Sequence, residues 1–390
     1  MRPKLILLVA LVAVISIGAG TAFAAAPPLS GPGNTAQITL VSSSTVNGWK
    51  YDFYRNRAYT CSISGFQTFV IGTKVGSSPT ATKPLWVFMH GGGVGYFDAN
   101  GIPRPNSGQM TENNAATLQG HLTNAGLLAK VRADAAGFRT LAVSYCNRDL
   151  YSGANQVDPN NPNLTASGAP KKTNGLLATK AAIQFTRSKY PTAEMLLHGG
   201  SAGSAGAYYV SWALQQQGIA PAGVVGDASV VNAEQGSAAY EQGVCANQAF
   251  DPEATAIISQ RLHPEIADID NEVDKLVRSR RLTVPLMHVW NHGDTNTCGS
   301  TPMICPFRNG TTGTMGATDC VHQPLKSSIA SQGATSKSKN LPLCVDADAV
   351  KDCSLHVVTT KAGLTNTDPA SPADYLGAIM TWVHSRLADA

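Results

Sequence analysis

Ser201 lies in Gly199-Gly200-Ser201-Ala202-Gly203, between an apolar run ending at His198 and a helix-like segment opening at Ala202. In that setting the serine occupies a sharp strand-to-helix turn, where glycines permit a backbone path that side chains would block. Such a turn exposes the hydroxyl and aims the free N–H groups of a helix N-terminus at whatever reacts with it. A second glycine run, His90-Gly91-Gly92-Gly93, closes another apolar stretch about 110 residues upstream. The backbone N–H groups of Gly92, Gly93 and Ala202 are the candidate donors to a developing oxyanion. Losing one such donor typically costs about 3–4 kcal/mol of transition-state stabilisation. The chemistry that suits these residues is acyl transfer through a serine nucleophile.

A serine hydroxyl is a poor nucleophile without a base to take its proton and an acid to orient that base. Where the serine stands on a turn of this kind, the acid and then the histidine follow it along the chain. That order removes His90, His121 and His198. His263 falls in a helical pattern, His288 in a strand and His384 in the last helix, which leaves His292, His322 and His356. His356 is favoured: it precedes the terminal helix and follows Cys353, whose disulfide would hold its loop. His292 is too near the favoured acid along the chain, and His322 lies in a cysteine-rich loop. The favoured acid is Asp294, in the turn after Val284–Trp290, where a carboxylate faces the crevice at the strand C-termini. Asp227, closing the preceding strand, is its rival, and either also suits a plain turn or cap.

These groups need a scaffold. Short β-rich runs from Gln37 to Thr73 suggest an antiparallel start to a sheet. Apolar runs at 85–89, 140–145, 195–198, 223–226 and 284–290 then alternate with helix-like segments near 114–136, 172–189, 202–217 and 252–281. Buried runs alternating with helices predict an α/β fold with a mostly parallel sheet. Two stretches break the rhythm, Ser152–Asn174 and Cys298–Leu341. Both are expected as long loops over the site, the second tied by disulfides into a cap.

The first 24 residues, with Arg2 and Lys4, an apolar core and Ala22-Phe23-Ala24, read as a secretory signal peptide. Residues 25–36 follow as a flexible leader, and 37–390 as one catalytic domain. The protein is thus expected outside the cell or in the periplasm, without stable membrane insertion. All eight cysteines fall after the leader, consistent with up to four disulfides in an oxidising compartment. The formal charge of +4, half of it from Arg2 and Lys4, gives no reason to expect nucleic acid as a partner. Gly199–Gly206 does not fit a dinucleotide fingerprint, and no phosphate-binding G-x-x-x-x-G-K-[ST] occurs. Cys353 and His356 are the only close pair with ligand character, so neither metal nor other cofactor is expected.

Several blocks, in order, resemble the pectin acetylesterase/Notum family of secreted α/β-hydrolase-like carboxylesterases. They are Leu85–Gly93, Val143–Gly153, Leu196–Gly206, Val224–Ser229 and Cys353-Ser354-Leu355-His356. The resemblance implies a Ser201–Asp294–His356 triad with oxyanion donors from Gly92, Gly93 and Ala202. It also implies a structural or pocket-lining role for Asp227 and for Asp149. The chain departs from the family pattern at His90, at Val94-Gly95-Tyr96, at Gly200 and at Ser204. Its His-Gly-Gly-Gly loop is closer to that of lipases and esterases. The expected partner is an ester, first an acetylated polysaccharide and second a lipid ester or polyester. A non-catalytic glycan- or lipid-binding protein on the same scaffold is the alternative from another class.

Overall fold

Alternation of side chains across the pleat explains how the central strands hold two cores at once. In β4 (Lys83–Met89), Leu85, Val87 and Met89 enter one core, while Trp86 and Phe88 enter the other. The computed structural model describes residues 26–104, 110–229, 232–270, 272–344, 354–362 and 372–389. The expected signal peptide and Cys353 lie outside them.

β4 belongs to a nine-stranded sheet with β1 (Ile38–Val46), β2 (Trp49–Thr60), β3 (Phe66–Lys74), β5 (Arg139–Val143), β6 (Thr192–Gly200), β7 (Gly223–Asp227), β8 (Leu286–Asn291) and β11 (Lys339–Leu343). Their spatial order is β1-β2-β3-β5-β4-β6-β7-β8-β11. β1, β2 and β3 pair antiparallel, as does β3 with β5. From β5 onward every neighbouring pair is parallel. The mostly parallel α/β sheet expected from the sequence is therefore present, with its antiparallel start.

Helices α1 (Ala115–Leu122), α2 (Leu127–Ala133) and α10 (Tyr375–Ala388) cover one face. The opposite face packs against α3 (Gly175–Lys189), α4 (Ala202–Gln216), α6 (Pro252–Gln260), α7 (Pro264–Ala267), α8 (Val273–Arg278) and part of α9 (Ala317–Ser331). β5 flanks β4 on one side and β6 on the other, so the chain changes winding direction at β4. A crevice opens where such a reversal occurs, outside the strand C-termini. Met89, Gly200, Asp227 and Asn291 end their strands there.

The stretch from Cys298 to Leu341 is not a long loop. It holds a hairpin of β9 (Pro302–Pro306) and β10 (Thr312–Gly316), then the 15-residue α9 and the start of β11. Its Gly, Thr and Ser content hid these elements, and Pro324 inside α9 hid the helix, whose buried face carries Cys320, Val321, Leu325 and Ile329. His322 is thus helical. His263 is not within a helix but is the N-cap of α7, its Nδ1 accepting from the Glu265 N–H at 3.2 Å.

The stretch expected to be a flexible leader is pinned from residue 27 onward. The carbonyls of Leu29 and Gly31 accept from Lys180 Nζ at 2.6 Å and Gln217 Nε2 at 2.8 Å, and Gly33 donates its N–H to Gln184 Oε1 at 3.0 Å. Disulfides join Cys61 to Cys146, Cys245 to Cys298 and Cys305 to Cys320, and Cys344 is disulfide-bonded as well. The last two of the three named bridges tie the hairpin region to α9 and to the segment after α5 (Ala233–Glu241).

Candidate active site

Ser201 follows β6 directly and opens α4 with φ +56° and ψ −127°. A non-glycine residue there costs on the order of 1–3 kcal/mol and persists only where its surroundings enforce it. The enforcement is close packing. A Cβ on Gly199 would fall 2.0 Å from the Gly203 carbonyl oxygen, and one on Gly203 would fall 2.0 Å from that of Met89. Gly199 is therefore needed for the turn to close on itself, and Gly203 for it to lie against β4. The Ser201 N–H donates to the Asp227 carbonyl at 2.8 Å, tying the turn to β7. Ser204 donates both its N–H and its hydroxyl to the Ser201 carbonyl, at 2.9 and 2.7 Å.

The glycine loop comes from β4 to the same place. A Cβ on Gly91 would lie 2.7 Å from Ser201 Cβ, so only glycine lets the loop touch the serine. Gly92 and Gly93 have φ of +134° and +69°. Ala202 is the first residue of α4, and its N–H has no acceptor within the helix. The three N–H groups expected as oxyanion donors thus belong to two segments in contact around Ser201.

His356 Nδ1 and Asp294 Oδ2 are 2.6 Å apart across 62 residues of sequence. Asp294 is fully buried, and donors surround it. Its Oδ1 accepts from the N–H groups of Asn296 and Thr297 at 2.9 and 3.0 Å, and its Oδ2 accepts from Thr297 Oγ1 at 2.6 Å. The histidine segment is held at three further points. Asn291 Nδ2 donates to the Leu355 carbonyl at 2.9 Å, and Tyr375 Oη donates to that of Val358 at 2.9 Å. Asp227 Oδ2 accepts from both the N–H and the hydroxyl of Thr359 at 2.7 Å. Val357 reaches the serine turn: a Cβ on Gly200 would lie 2.6 Å from Val357 Cγ1. The residues adjoining Ser201 and His356 are therefore in van der Waals contact.

Asp294, and not its rival, makes the hydrogen bond to His356, while Asp227 anchors Thr359. The other candidate bases are engaged elsewhere. His292 pairs with Asp319 at 2.6 Å, and His322 with His288 at 2.9 Å. Asp149 Oδ2 accepts from the N–H groups of Gly153 and Gly175 at 3.2 and 2.8 Å, which fixes the start of α3. The anchoring residues Asn291, Thr359 and Tyr375 carry no local signal that would have revealed them. They are ordinary polar residues whose partners lie on other elements.

Burial works against protonation of His356. Its hydrogen bond to Asp294 and the charges of Asp294 and Asp227 outweigh it, so its pKa lies above the ordinary imidazole value. A histidine serving as general base must be neutral, so in that role the expected result is a loss of activity as pH falls through the raised pKa. Burial also pushes Asp227 up to about 6, so its charge is present only above that range. Asp227→Asn keeps an acceptor oxygen for Thr359 and removes the charge. It is expected to move the acid limb of kcat/KM to lower pH, since the imidazolium loses one of its two stabilising carboxylates. A pH–rate profile of the two enzymes measures this, and an unmoved limb would exclude Asp227 as an electrostatic partner of His356.

The strand order, the winding reversal and the strained serine turn at the end of β6 define an α/β-hydrolase fold. Solved structures with similar chain paths include esterase B from Lactobacillus rhamnosis (TM-score 0.46, 13% identity, 89% of each chain). They also include a fungal esterase from Rhizomucor miehei (TM-score 0.44, 12% identity, 92% of this chain and 86% of that one) and an acetyl xylan esterase from Paenibacillus sp. R4 (TM-score 0.37, 14% identity, 69% and 77%). No family model matches the sequence, and no curated protein matches it.

Proposed function

We propose that this protein is an exported serine carboxylesterase. The observation that carries the reading is the Asp294–His356 pair, fastened by Val357 against the turn that strains Ser201. Ser201 Oγ attacks the ester carbonyl carbon while His356 Nε2 takes its proton. The carbonyl oxygen becomes an oxyanion facing the N–H groups of Gly92, Gly93 and Ala202. On collapse, His356 returns the proton to the departing alkoxide, releasing the alcohol and leaving an acyl-enzyme. A water molecule, deprotonated by the same histidine, then frees the carboxylic acid. No cofactor enters these steps. Export is supported by the disulfides, which belong to oxidising compartments. Among the described residues, no helix is long and apolar enough to cross a membrane.

For the substrate, an acetyl ester on a polysaccharide is the first reading, as the resemblance to pectin acetylesterases implies. A cavity of about 570 Å³, lined by neither Ser201 nor His356, has Val94, the residue after the glycine loop, in its wall. Leu150, Phe250 and Ile258 give it an apolar floor, and Glu234, Glu241, Asp270 and Glu272 stand against only Lys275 and Arg308 on its wall. That excess of carboxylates favours a neutral glycan over a polyuronate. The test is hydrolysis of p-nitrophenyl esters from acetate to palmitate, together with acetylated xylan and acetylated polygalacturonate. Labelling of Ser201 by a fluorophosphonate is followed in parallel. The expected result is turnover limited to short acyl chains, faster on the neutral glycan, with the label on Ser201. Preference for long chains would move the substrate to lipids or polyesters. No turnover and no labelling would leave a glycan- or lipid-binding protein as the better reading.

A further inference from the structure

The glycine loop is braced by side chains of one segment, residues 145–151, which follows β5. Tyr151 donates its hydroxyl to the His90 carbonyl at 2.9 Å, and Arg148 donates through Nη1 to the Gly92 carbonyl. The loop and the arginine are fitted to one another. A Cβ on Gly92 would lie 1.8 Å from Arg148 Nη1, and one on Gly95 would lie 3.0 Å from Arg148 Cβ.

Arg148 is itself held in place and is 2% exposed. Its guanidinium lies 4.9 Å from the centre of the Tyr145 ring, which stacks on Tyr151 at 4.4 Å. Its backbone is fastened at the two residues just before it. The Cys61–Cys146 disulfide lies two residues before it, and buried Arg261 donates to the Asn147 carbonyl at 2.6 Å while pairing with Asp158 at 2.6 Å.

The Gly92 carbonyl and the Gly93 N–H belong to one planar peptide unit and point in opposite directions. We propose that Arg148 is a positioning residue for the oxyanion hole, fixing the Gly92–Gly93 peptide plane and polarising its N–H toward the alkoxide formed on the substrate. The proposal rests on the ester-hydrolysis reading above. A peptide that accepts a hydrogen bond at oxygen becomes a stronger donor at nitrogen, and a charged donor strengthens the effect. In a buried site that polarisation is screened less than in water. Burial lowers the pKa of Arg148, but a guanidinium remains charged in proteins. The benefit appears only when negative charge develops on the substrate oxygen, so it acts on kcat and not on binding of the neutral ester.

The test compares the wild type with Arg148→Met and Arg148→Lys in kcat, KM and inhibition by a trifluoromethyl ketone, whose serine adduct carries an oxyanion. Thermal unfolding is followed alongside. For Arg148→Met the expected result is a fall in kcat of about 30- to 100-fold, below the full loss of an oxyanion donor. Ketone affinity should fall by a similar factor while KM stays within about threefold. Arg148→Lys should lie between the two, because one ammonium on a flexible stem keeps the charge but not the planar fork. A folded Met variant with unchanged kcat would overturn the proposal, as would a loss of kcat without a matching loss of ketone affinity. If the Met variant does not fold, the Lys variant decides by the same criterion: kcat and ketone affinity must fall together. Absence of any wild-type ester turnover would instead overturn the hydrolase reading, and this proposal with it.

Discussion

Ser201→Ala is expected to lower kcat/KM for p-nitrophenyl acetate by about 10⁵- to 10⁶-fold, with the thermal unfolding midpoint unchanged or raised. The magnitude follows from losing the nucleophile of a group that acts as a unit; removing one member there costs nearly as much as removing all. A residual acceleration of about 10³- to 10⁴-fold over water should remain, from the oxyanion donors and binding alone. The stability expectation has a separate origin. Ser201 holds φ +56°, and its N–H and carbonyl, not its hydroxyl, make the contacts with Asp227 and Ser204. Alanine keeps those contacts and demands the same backbone. Steady-state kinetics and calorimetry on one preparation measure both quantities. A loss of activity below about tenfold would remove Ser201 from the mechanism.

Asp294→Asn is expected to reduce kcat/KM by about 10⁴-fold without unfolding the protein. Asp294 has a donor at every position. The Asn296 and Thr297 N–H groups reach Oδ1, while Thr297 Oγ1 and His356 Nδ1 reach Oδ2. An asparagine has only one acceptor oxygen. Keeping it toward the two backbone donors turns the amide NH₂ toward His356. The imidazole must then accept at Nδ1 and carry its proton on Nε2, the tautomer that cannot take the serine proton. The opposite flip would set the amide against two backbone N–H groups, each such loss in a buried site costing about 1–3 kcal/mol. NMR of the imidazole nitrogens beside the kinetics separates a tautomer switch from displacement of the loop. A near-normal rate in the asparagine variant would show that Asp294 does not orient the base.

The parallel strands were legible because buried apolar runs of four to seven residues, alternating with helix-length segments, are local patterns. Leu85–Met89 and Val284–Trp290 each sit within one residue or two of the observed strands. The hairpin and α9 were not legible. Gly, Thr and Ser dominate their exposed positions, and Pro324 interrupts the helical pattern from within. Their packing is supplied instead by Cys305, Cys320 and a small apolar cluster assembled from distant segments. β11 was lost in the same stretch, since its burial comes from pairing at the edge beside β8 and from packing of Leu341 and Leu343 in the cluster that includes α10, all distant in sequence.

The residues proposed for the chemistry were identifiable from the chain alone because their signals are short. Glycines beside a serine at a strand end, a glycine run after another strand and an aspartate in a late turn each depend on a few consecutive positions. What the sequence determined was this inventory and its order along the chain. Which groups meet was decided by the tertiary structure. The choice of Asp294 over Asp227 spans 62 residues, the anchoring of Thr359 by Asp227 spans 132, and the bracing of Gly92 by Arg148 spans 56. Each contact depends on the lateral order of strands, with β5 and β6 on opposite sides of β4 and β7 and β8 beyond. That order arises from the packing of two faces of helices on one twisted sheet. No window of neighbouring residues contains it, because the energy that selects it is shared among side chains far apart in sequence.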